Sequence, residues 1–294
     1  MKKMIAIVCS IGLLYACNTE EKKGSAGIPQ LPAQWQPLDS AGAVILGMNT
    51  YNRGGINDTD FVVMVNLAAG GGIRILDSVY NGADSCSPLF HSWPVTGGSG
   101  NSFWNLFKTA NSFAMTNLQF FNYAGSQVDT AQVCYPVYYK GKYMSQGCAD
   151  GTCGGDQSLL KRIIIITDTI SVLDYPDSIP CINYPVPRGA IAAIVGNHPL
   201  ANRDSGRYVA RTYLAKQGTN LILYTSKYAR DVDIYLVLQQ EFNVAAGDIV
   251  MFDGGGSTQM ISNGIPYIPS SDNRWVPSAI EIYSAGTGSS KPVH

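Results

Sequence analysis

The stretch Ile249-Val250-Met251-Phe252-Asp253-Gly254-Gly255-Gly256-Ser257-Thr258 runs from four apolar residues directly into a glycine turn. A short apolar run bounded by glycines is typical of a strand that is buried on both faces. Consecutive glycines permit positive φ and let backbone N–H groups approach a ligand closely. We therefore expect a central strand over Ile249–Phe252, with Asp253 held at the point where the strand ends.

The glycine turn is the first candidate site. Successive backbone N–H groups in such a turn form a concavity that favours anionic oxygens. The turn is not a phosphate-binding P-loop, because the Lys-Ser/Thr pair of that motif is missing. Asp253 is the predicted catalytic carboxylate, and the alternative is that it only caps a hairpin turn. The predicted substrate-binding residues follow it directly: Gly254, Gly255, Gly256, Ser257 and Thr258.

Periodicity along the rest of the chain predicts many short strands and few helices. Apolar runs split by Gly/Asn turns, as at residues 43–48 and 61–67, indicate strands. Apolar residues spaced three and four apart predict helices over 102–114 and 231–242, the second capped by Asp231. We find no internal repeat. These patterns predict an α+β fold: a single domain over residues 28–294 with a mixed, strand-rich β-sheet core and a few flanking helices.

The first residues predict export and lipid anchoring. Lys2 and Lys3 precede an apolar stretch over residues 4–16, which is shorter than the roughly 20 residues that span a bilayer. Such a stretch is typical of a secretory signal. It ends in Leu-Leu-Tyr-Ala before Cys17, in the form of a lipobox. We expect a signal peptide over 1–16, a lipidated Cys17, a flexible tether over 17–27, and a place in the bacterial envelope, anchored to the outer membrane. The alternative is an ordinary cleaved signal with an incidental Cys17.

Composition narrows the function classes. The 294-residue chain is 46% hydrophobic and only 14% charged, with a formal net charge of −1. A nucleic-acid binder carries a basic excess, so nucleic acid is not an expected partner.

Five cysteines follow the predicted lipid site: Cys86, Cys134, Cys148, Cys153 and Cys181. An oxidising compartment permits disulfides. Cys148 and Cys153 bracket four residues, a loop short enough for a disulfide. A zinc site is less favoured, because no second closely spaced Cys or His pair accompanies them. A catalytic cysteine is also disfavoured, since no histidine occurs in a recognisable partner motif.

Four motifs, one of which is the glycine turn, occur in a consistent order. They are Asn117-Leu118-Gln119-Phe120-Phe121-Asn122, Arg211-Thr212, the Asp253 to Ser257 turn, and Arg274-Trp275-Val276-Pro277-Ser278-Ala279-Ile280. In this order the sequence resembles the phosphodiester glycosidase family. The family has Asn-Gly-Gly-Phe-Phe in the first motif and Asn where Ser278 stands. The resemblance covers residues 115–283, and its departures at Leu118, Gln119 and Ser278 leave the substrate open.

The resemblance implies a hydrolase that cleaves a sugar–phosphodiester linkage. A planar guanidinium can hold two phosphate oxygens at once, so Arg211 and Arg274 are predicted to bind the phosphate. Asn117 is predicted to bind sugar hydroxyls or to position water. Glycosidases usually use two carboxyl groups, but a phosphodiester is already a good leaving group, so we assign no second one. Strand alternation alone leaves the direction of Glu281 open.

The expected partners are a glycan or sugar-phosphate polymer and, through the anchor, a membrane. No cofactor is predicted, and the metal requirement stays open. One alternative is a non-catalytic, glycan-binding surface lipoprotein with the same fold. Another, a structural envelope protein without a pocket, does not explain the three glycines beside Asp253.

Overall fold

The computed structural model describes residues 27–81, 88–97, 100–123, 129–147, 157–175, 185–200, 206–270 and 274–284. The predictions for Cys17, Cys148 and Cys153 lie outside these ranges. Two α-helices occur in them, α1 (Phe103–Phe107) and α2 (Asp231–Gln240). The strands are β1 (Gln36–Ala41), β2 (Val44–Arg53), β3 (Ile56–Asn66), β4 (Gly71–Asp77), β5 (Val79–Asn81), β6 (Leu89–His91), β7 (Ser112–Asn117), β8 (Phe121–Tyr123), β9 (Thr130–Val133), β10 (Val137–Tyr139), β11 (Lys142–Ser145), β12 (Leu160–Ile166), β13 (Thr169–Asp174), β14 (Ala192–Asn197), β15 (Val209–Gln217), β16 (Asn220–Ala229), β17 (Ile249–Phe252), β18 (Met260–Ser262), β19 (Ile265–Ile268) and β20 (Ser278–Ser284).

The strands form three sheets. The first has the order β1-β2-β3-β16-β15-β17-β14-β10-β11, with β12 also paired to β14 and β13 paired to β12. The second sheet has the order β19-β18-β7-β20-β4, and the third β5-β6-β9-β8. Every pairing between these described strands is antiparallel, for example β17 with β15, where Thr212 faces Phe252.

The main core lies between the first and second sheets. It includes Val63 and Leu223 from the first sheet and Ile280 from the second, all fully buried. The opposite face of the first sheet packs on α2, and the opposite face of the second packs on α1. Alternation along β17 explains its double burial: Val250 and Phe252 face the main core, and Ile249 and Met251 face α2. The prediction of a central strand over Ile249–Phe252 is confirmed.

The predicted α+β class with a mixed sheet is wrong, since the described residues are mainly antiparallel β. The predicted helix over 102–114 is five residues long and ends at Phe107. Phe103 and Phe107 do share a face, where both rings contact Trp93. From Ser112 onward the chain pairs with β18 and β20 instead. Long-range strand pairing overrides the local helical spacing there.

The second predicted helix is present. It begins at Asp231 with Arg230 as its N-cap, and the Asp233 carboxylate accepts from the Arg230 N–H at 3.0 Å. Asp231 is therefore the first helical residue and not the cap. Within the described ranges no helix is long and apolar enough to cross a bilayer.

Candidate active site

Asp253 lies where the first and second sheets meet. It follows β17 directly, and its N–H donates to the Leu118 carbonyl, just beyond β7, at 3.2 Å. The Asn117 side-chain amide donates to the Asp253 carbonyl at 2.7 Å. Two hydrogen bonds from the end of one sheet therefore fix the backbone at the end of the other, so the position of Asp253 is set by both.

Asn117 is the hub of this junction and is completely buried. Its Oδ1 accepts from the Thr212 hydroxyl and from the Gln259 N–H, each at 3.1 Å. With the bond to the Asp253 carbonyl, three segments are joined through one side chain. The structure therefore places Asn117 beneath Asp253, as a positioning residue, and not on the surface that faces solvent.

The glycine turn is a single 3₁₀ turn over Gly255–Ser257. The Ser257 and Thr258 N–H groups donate back to the carbonyls of Gly254 and Gly255, each at 3.2 Å. Gly255 has φ +60°, which favours glycine. A Cβ on Gly254 would lie 2.8 Å from the Ala210 carbonyl oxygen, so this residue allows the turn to pack against β15. Two N–H groups of the predicted anion cradle are thus used within the turn.

The Asp253 carboxyl group is held in unusual surroundings. Burial raises its pKa from 3.8 to about 7, although the nearby Ser257 hydroxyl, the Arg274 guanidinium and the Gly254 N–H each lower it. The residue nevertheless keeps part of its surface in contact with solvent. A carboxyl group with a pKa near 7 is present in both protonation states at neutral pH, which suits it to exchange protons with a substrate.

Arg274 and Tyr123 share this electrostatic environment. Both the Arg274 charge and the Asp253 charge act on the pKa of Tyr123, which burial raises. The Tyr123 hydroxyl donates to the Trp275 carbonyl at 2.9 Å, next to Arg274 in the chain. Arg274 itself is exposed. The structure thus brings Asp253 and Arg274 together as sequence reasoning expected, and adds Tyr123, which lies one residue beyond the 117–122 motif.

The remaining predicted residues have different surroundings. The Arg211 side chain is 4% exposed, and its Nε lies 3.0 Å from an oxygen of buried Asp231. This ion pair links β15 to the start of α2 and directs the guanidinium into the fold. The Thr258 hydroxyl is buried and accepts from Thr212 at 3.4 Å. The Ser257 hydroxyl is also buried, and it lies beside the Asp253 carboxyl, whose pKa it lowers.

The residues that depart from the family pattern lie inside the structure. Leu118 is in the main core, and the Gln119 amide donates to the Val195 carbonyl at 2.8 Å. The Ser278 hydroxyl accepts from the Gln119 N–H at 3.4 Å. Gln119 and Ser278 therefore tie the end of β7 to β14 and β20. Among the described hydrogen bonds, Leu118 contacts Asp253 only through its backbone carbonyl.

The direction of Glu281, which the sequence left open, is into the fold. Glu281 is fully buried, where it pairs with Arg74 and accepts from the Ser112 hydroxyl. Burial raises the pKa of Asp77 to about 6, but Asp77 lines a separate apolar cavity beside Phe90 and Val133. Within the described residues, no group of three or more His, Cys, Asp and Glu side chains is arranged to hold a metal ion.

Fold and site together define an antiparallel β protein with a carboxyl–arginine site at the junction of two sheets. The fold is similar to that of the zebrafish N-acetylglucosamine-1-phosphodiester α-N-acetylglucosaminidase catalytic domain, which is auto-inhibited by its pro-peptide. The TM-score is 0.58 at 16% identity, over 85% of this chain and 88% of that one. A hypothetical protein from Synechocystis matches with a TM-score of 0.35 at 13% identity, over 87% and 69% of the chains.

No protein-family model matches the sequence, and no curated protein matches it significantly. At this level of identity the similarity to the zebrafish domain establishes the fold alone.

Proposed function

We propose that this protein hydrolyses a glycosyl phosphodiester, with Asp253 as the reacting carboxyl group and Arg274 as the phosphate-binding residue. The observation that carries the proposal is that a half-buried Asp253, whose carboxyl group has a pKa of about 7, and the exposed Arg274, whose charge acts on that carboxyl group, lie at one sheet junction. The similarity of the fold to the catalytic domain of the zebrafish N-acetylglucosamine-1-phosphodiester α-N-acetylglucosaminidase supports it.

The chemistry needs a water molecule and one base. The ionised Asp253 carboxylate takes a proton from water, and the water oxygen forms a bond to the anomeric carbon. The bond between that carbon and the bridging phosphate oxygen breaks, and the electron pair leaves with the phosphate as a phosphomonoester. Arg274 is suited to stabilise the phosphate charge. The Ser257 hydroxyl lies beside the Asp253 carboxyl and lowers its pKa, so it favours the ionised form that acts as the base.

The site is proposed to act outside the cell, anchored through a lipid on Cys17. The proposal rests on the lipobox-like end of the predicted signal peptide. The substrate would then be a glycan or sugar-phosphate polymer of the envelope or its surroundings.

The direct test uses the methyl phosphodiester of N-acetylglucosamine 1-phosphate and of glucose 1-phosphate, with released methyl phosphate as the product measured. We expect turnover by the parent protein and a decrease in kcat of at least about a hundredfold in Asp253→Asn, the scale of a lost general base. Asp168→Asn, on the exposed β12–β13 turn, is the matched control and should retain parent activity. Parent-like activity of Asp253→Asn would remove Asp253 from the chemistry.

The same variant has a stability signature. Because the folded-state pKa of Asp253 is raised from 3.8 to about 7, the native state holds the proton more tightly than the unfolded state. Stability of the parent should therefore fall as pH rises between these two values. Asp253→Asn should lack this part of the fall, so its melting temperature relative to the parent should increase from pH 4 to pH 8.

Binding of the diesters without turnover by the parent would instead support the glycan-binding alternative.

A further inference from the structure

A large cleft lies beside the proposed active site and takes no part in the proposed chemistry. Its volume is about 910 Å³, and its lining includes His91, Ser92, Trp93, Asn101, Asp129 and Trp275. Asp253 and Arg274 are not among the lining residues. A volume of this size is within the range of ligand-binding pockets, which reaches about 1,000 Å³.

The lining combines aromatic rings with a buried hydroxyl group that has no hydrogen-bond partner among the described residues. The rings of His91 and Trp93 are stacked, with centroids 5.5 Å apart and an interplanar angle of 27°. Trp275 is half-buried and directly precedes Val276, which forms a β-bridge with Trp93. The Ser92 Oγ is buried and has no hydrogen-bond partner among the described residues. A buried hydroxyl without a partner is costly in the free protein and is satisfied when a ligand supplies one.

The charge of the lining distinguishes this cleft from the Asp253 site. Among the described lining residues there is no Lys or Arg, and Asp129 contributes a carboxylate. An anionic ligand would therefore meet no basic side chain among the described lining residues. A sugar ring without charge offers C–H faces for aromatic rings and hydroxyl groups for Ser92, Asn101 and Asp129, so its chemistry matches that of the lining.

The cleft is physically connected to the active site. The Gln259 side chain accepts from the Val95 N–H and donates to the Arg274 carbonyl, each at 2.8 Å. Its own N–H donates to Asn117. On the other side, the Trp275 carbonyl accepts from Tyr123. One wall of the cleft is thus held by the residues that position Asp253 and Arg274.

We propose that this cleft binds uncharged sugar residues of a glycan chain, which stack on Trp93 and Trp275 beside the hydrolytic site. It adds a substrate class to the proposed function: a phosphodiester that is carried on, or joined to, a neutral oligosaccharide. Binding in the cleft does not require that Asp253 be catalytic, so the two proposals can fail separately.

The test is a titration of the full mature protein with neutral hexasaccharides of glucose, mannose and N-acetylglucosamine, followed by tryptophan fluorescence and calorimetry. At least one hexasaccharide should bind, and Trp275→Ala should weaken it at least about tenfold, as expected for truncation of a central aromatic side chain. Asn101→Ala, at an exposed lining position, should weaken binding in the same direction and decides the matter if Trp275→Ala does not fold.

Two controls complete the design. Tyr143→Ala removes an exposed aromatic ring on β11, outside the cleft, and should bind like the parent. Asp253→Asn should also bind the hexasaccharide normally, whatever it does to turnover. The proposal is overturned if none of the three hexasaccharides binds below about 10 mM. It is likewise overturned if Trp275→Ala and Asn101→Ala, both folded, bind as tightly as the parent.

Discussion

The protonation state of Asp253 is set by burial, which raises its pKa, and by the Ser257 hydroxyl, the Arg274 charge and the Gly254 N–H, which lower it. Burial dominates, so the pKa of Asp253 is about 7 and its carboxylate forms only as the solution becomes neutral. Since a general base acts in its ionised form, kcat/KM should increase with pH and level off above about 7. A pH–rate profile of the parent measures this midpoint.

Arg274 should shift that midpoint in a known direction. Its charge lowers the pKa of Asp253, so Arg274→Gln should move the rising limb of the profile to higher pH as well as weaken phosphate binding. Arg274→Lys is the matched control: it keeps the charge and the midpoint but loses the two-pronged grip, which is worth about 1.5–3 kcal/mol per charge-assisted hydrogen bond. An unchanged midpoint in Arg274→Gln would separate Arg274 from Asp253.

At this scale the sequence predicted part of the site. Asp253 and Arg274 belong to motifs that resemble those of the family, and the Arg274 charge acts on the Asp253 carboxyl group. Tyr123 was missed because it lies one residue past its motif. The inward direction of Asn117 and Arg211 was not predictable, since it depends on partners far along the chain, such as Gln259 and Asp231.

At the scale of elements, Gly254 and Gly255 of the turn require glycine for two different reasons. Gly255 has φ +60° with open space around its Cβ position, so Gly255→Ala should cost only the left-handed conformation, about 1–2 kcal/mol. Gly254→Ala would place its Cβ 2.8 Å from the Ala210 carbonyl oxygen. The turn would have to move away from β15, so this variant should lose both stability and turnover.

Urea denaturation and the methyl phosphodiester assay measure both effects. Gly255→Ala acts as the matched control for Gly254→Ala, because the two changes add the same methyl group to neighbouring residues. Equal losses of kcat in the two variants would show that the approach of the turn to β15 does not position Asp253.

The Arg211–Asp231 ion pair joins β15 to α2, and its role here can be distinguished from substrate binding. Arg211→Gln leaves the buried Asp231 carboxylate without its cation, which should cost about 3–5 kcal/mol of stability. The double change Arg211→Gln/Asp231→Asn removes that charge and should cost less than the single change. If Arg211 instead binds the phosphate, the double variant will regain stability while KM for the diester stays strongly increased.

Sequence patterns located most strands but overestimated helix content. The apolar runs at residues 43–48, 61–67 and 249–252 lie almost entirely within strands β2, β3 and β17. Of the helix predicted over 102–114, only the start is helical. The rest forms β7, because it pairs with β18 and β20, whose residues are more than 140 positions away. Such long-range pairing leaves no local signature in the sequence.

At the scale of the whole molecule, the described fold begins at residue 27, ten residues after Cys17. Ten residues span at most about 33–36 Å when fully extended, so an anchor at Cys17 would hold the fold close to a membrane surface. Each buried methylene of an attached acyl chain contributes about 0.8 kcal/mol. Two such chains would keep the protein on the membrane, whereas the bare chain would leave it.

Cys17→Ala should therefore move the protein from the membrane fraction to a soluble or unprocessed form. Cys9→Ala is the matched control, because it removes a cysteine from the same signal segment without touching the predicted acylation site. Fractionation followed by mass spectrometry of the mature N-terminus measures both location and lipid. The folded region is unchanged in either variant, so specific activity on the soluble methyl phosphodiesters should stay at the parent level. Cys17→Ala that fractionates with membranes and migrates like the parent would contradict lipidation at Cys17, and the envelope location would then need another cause.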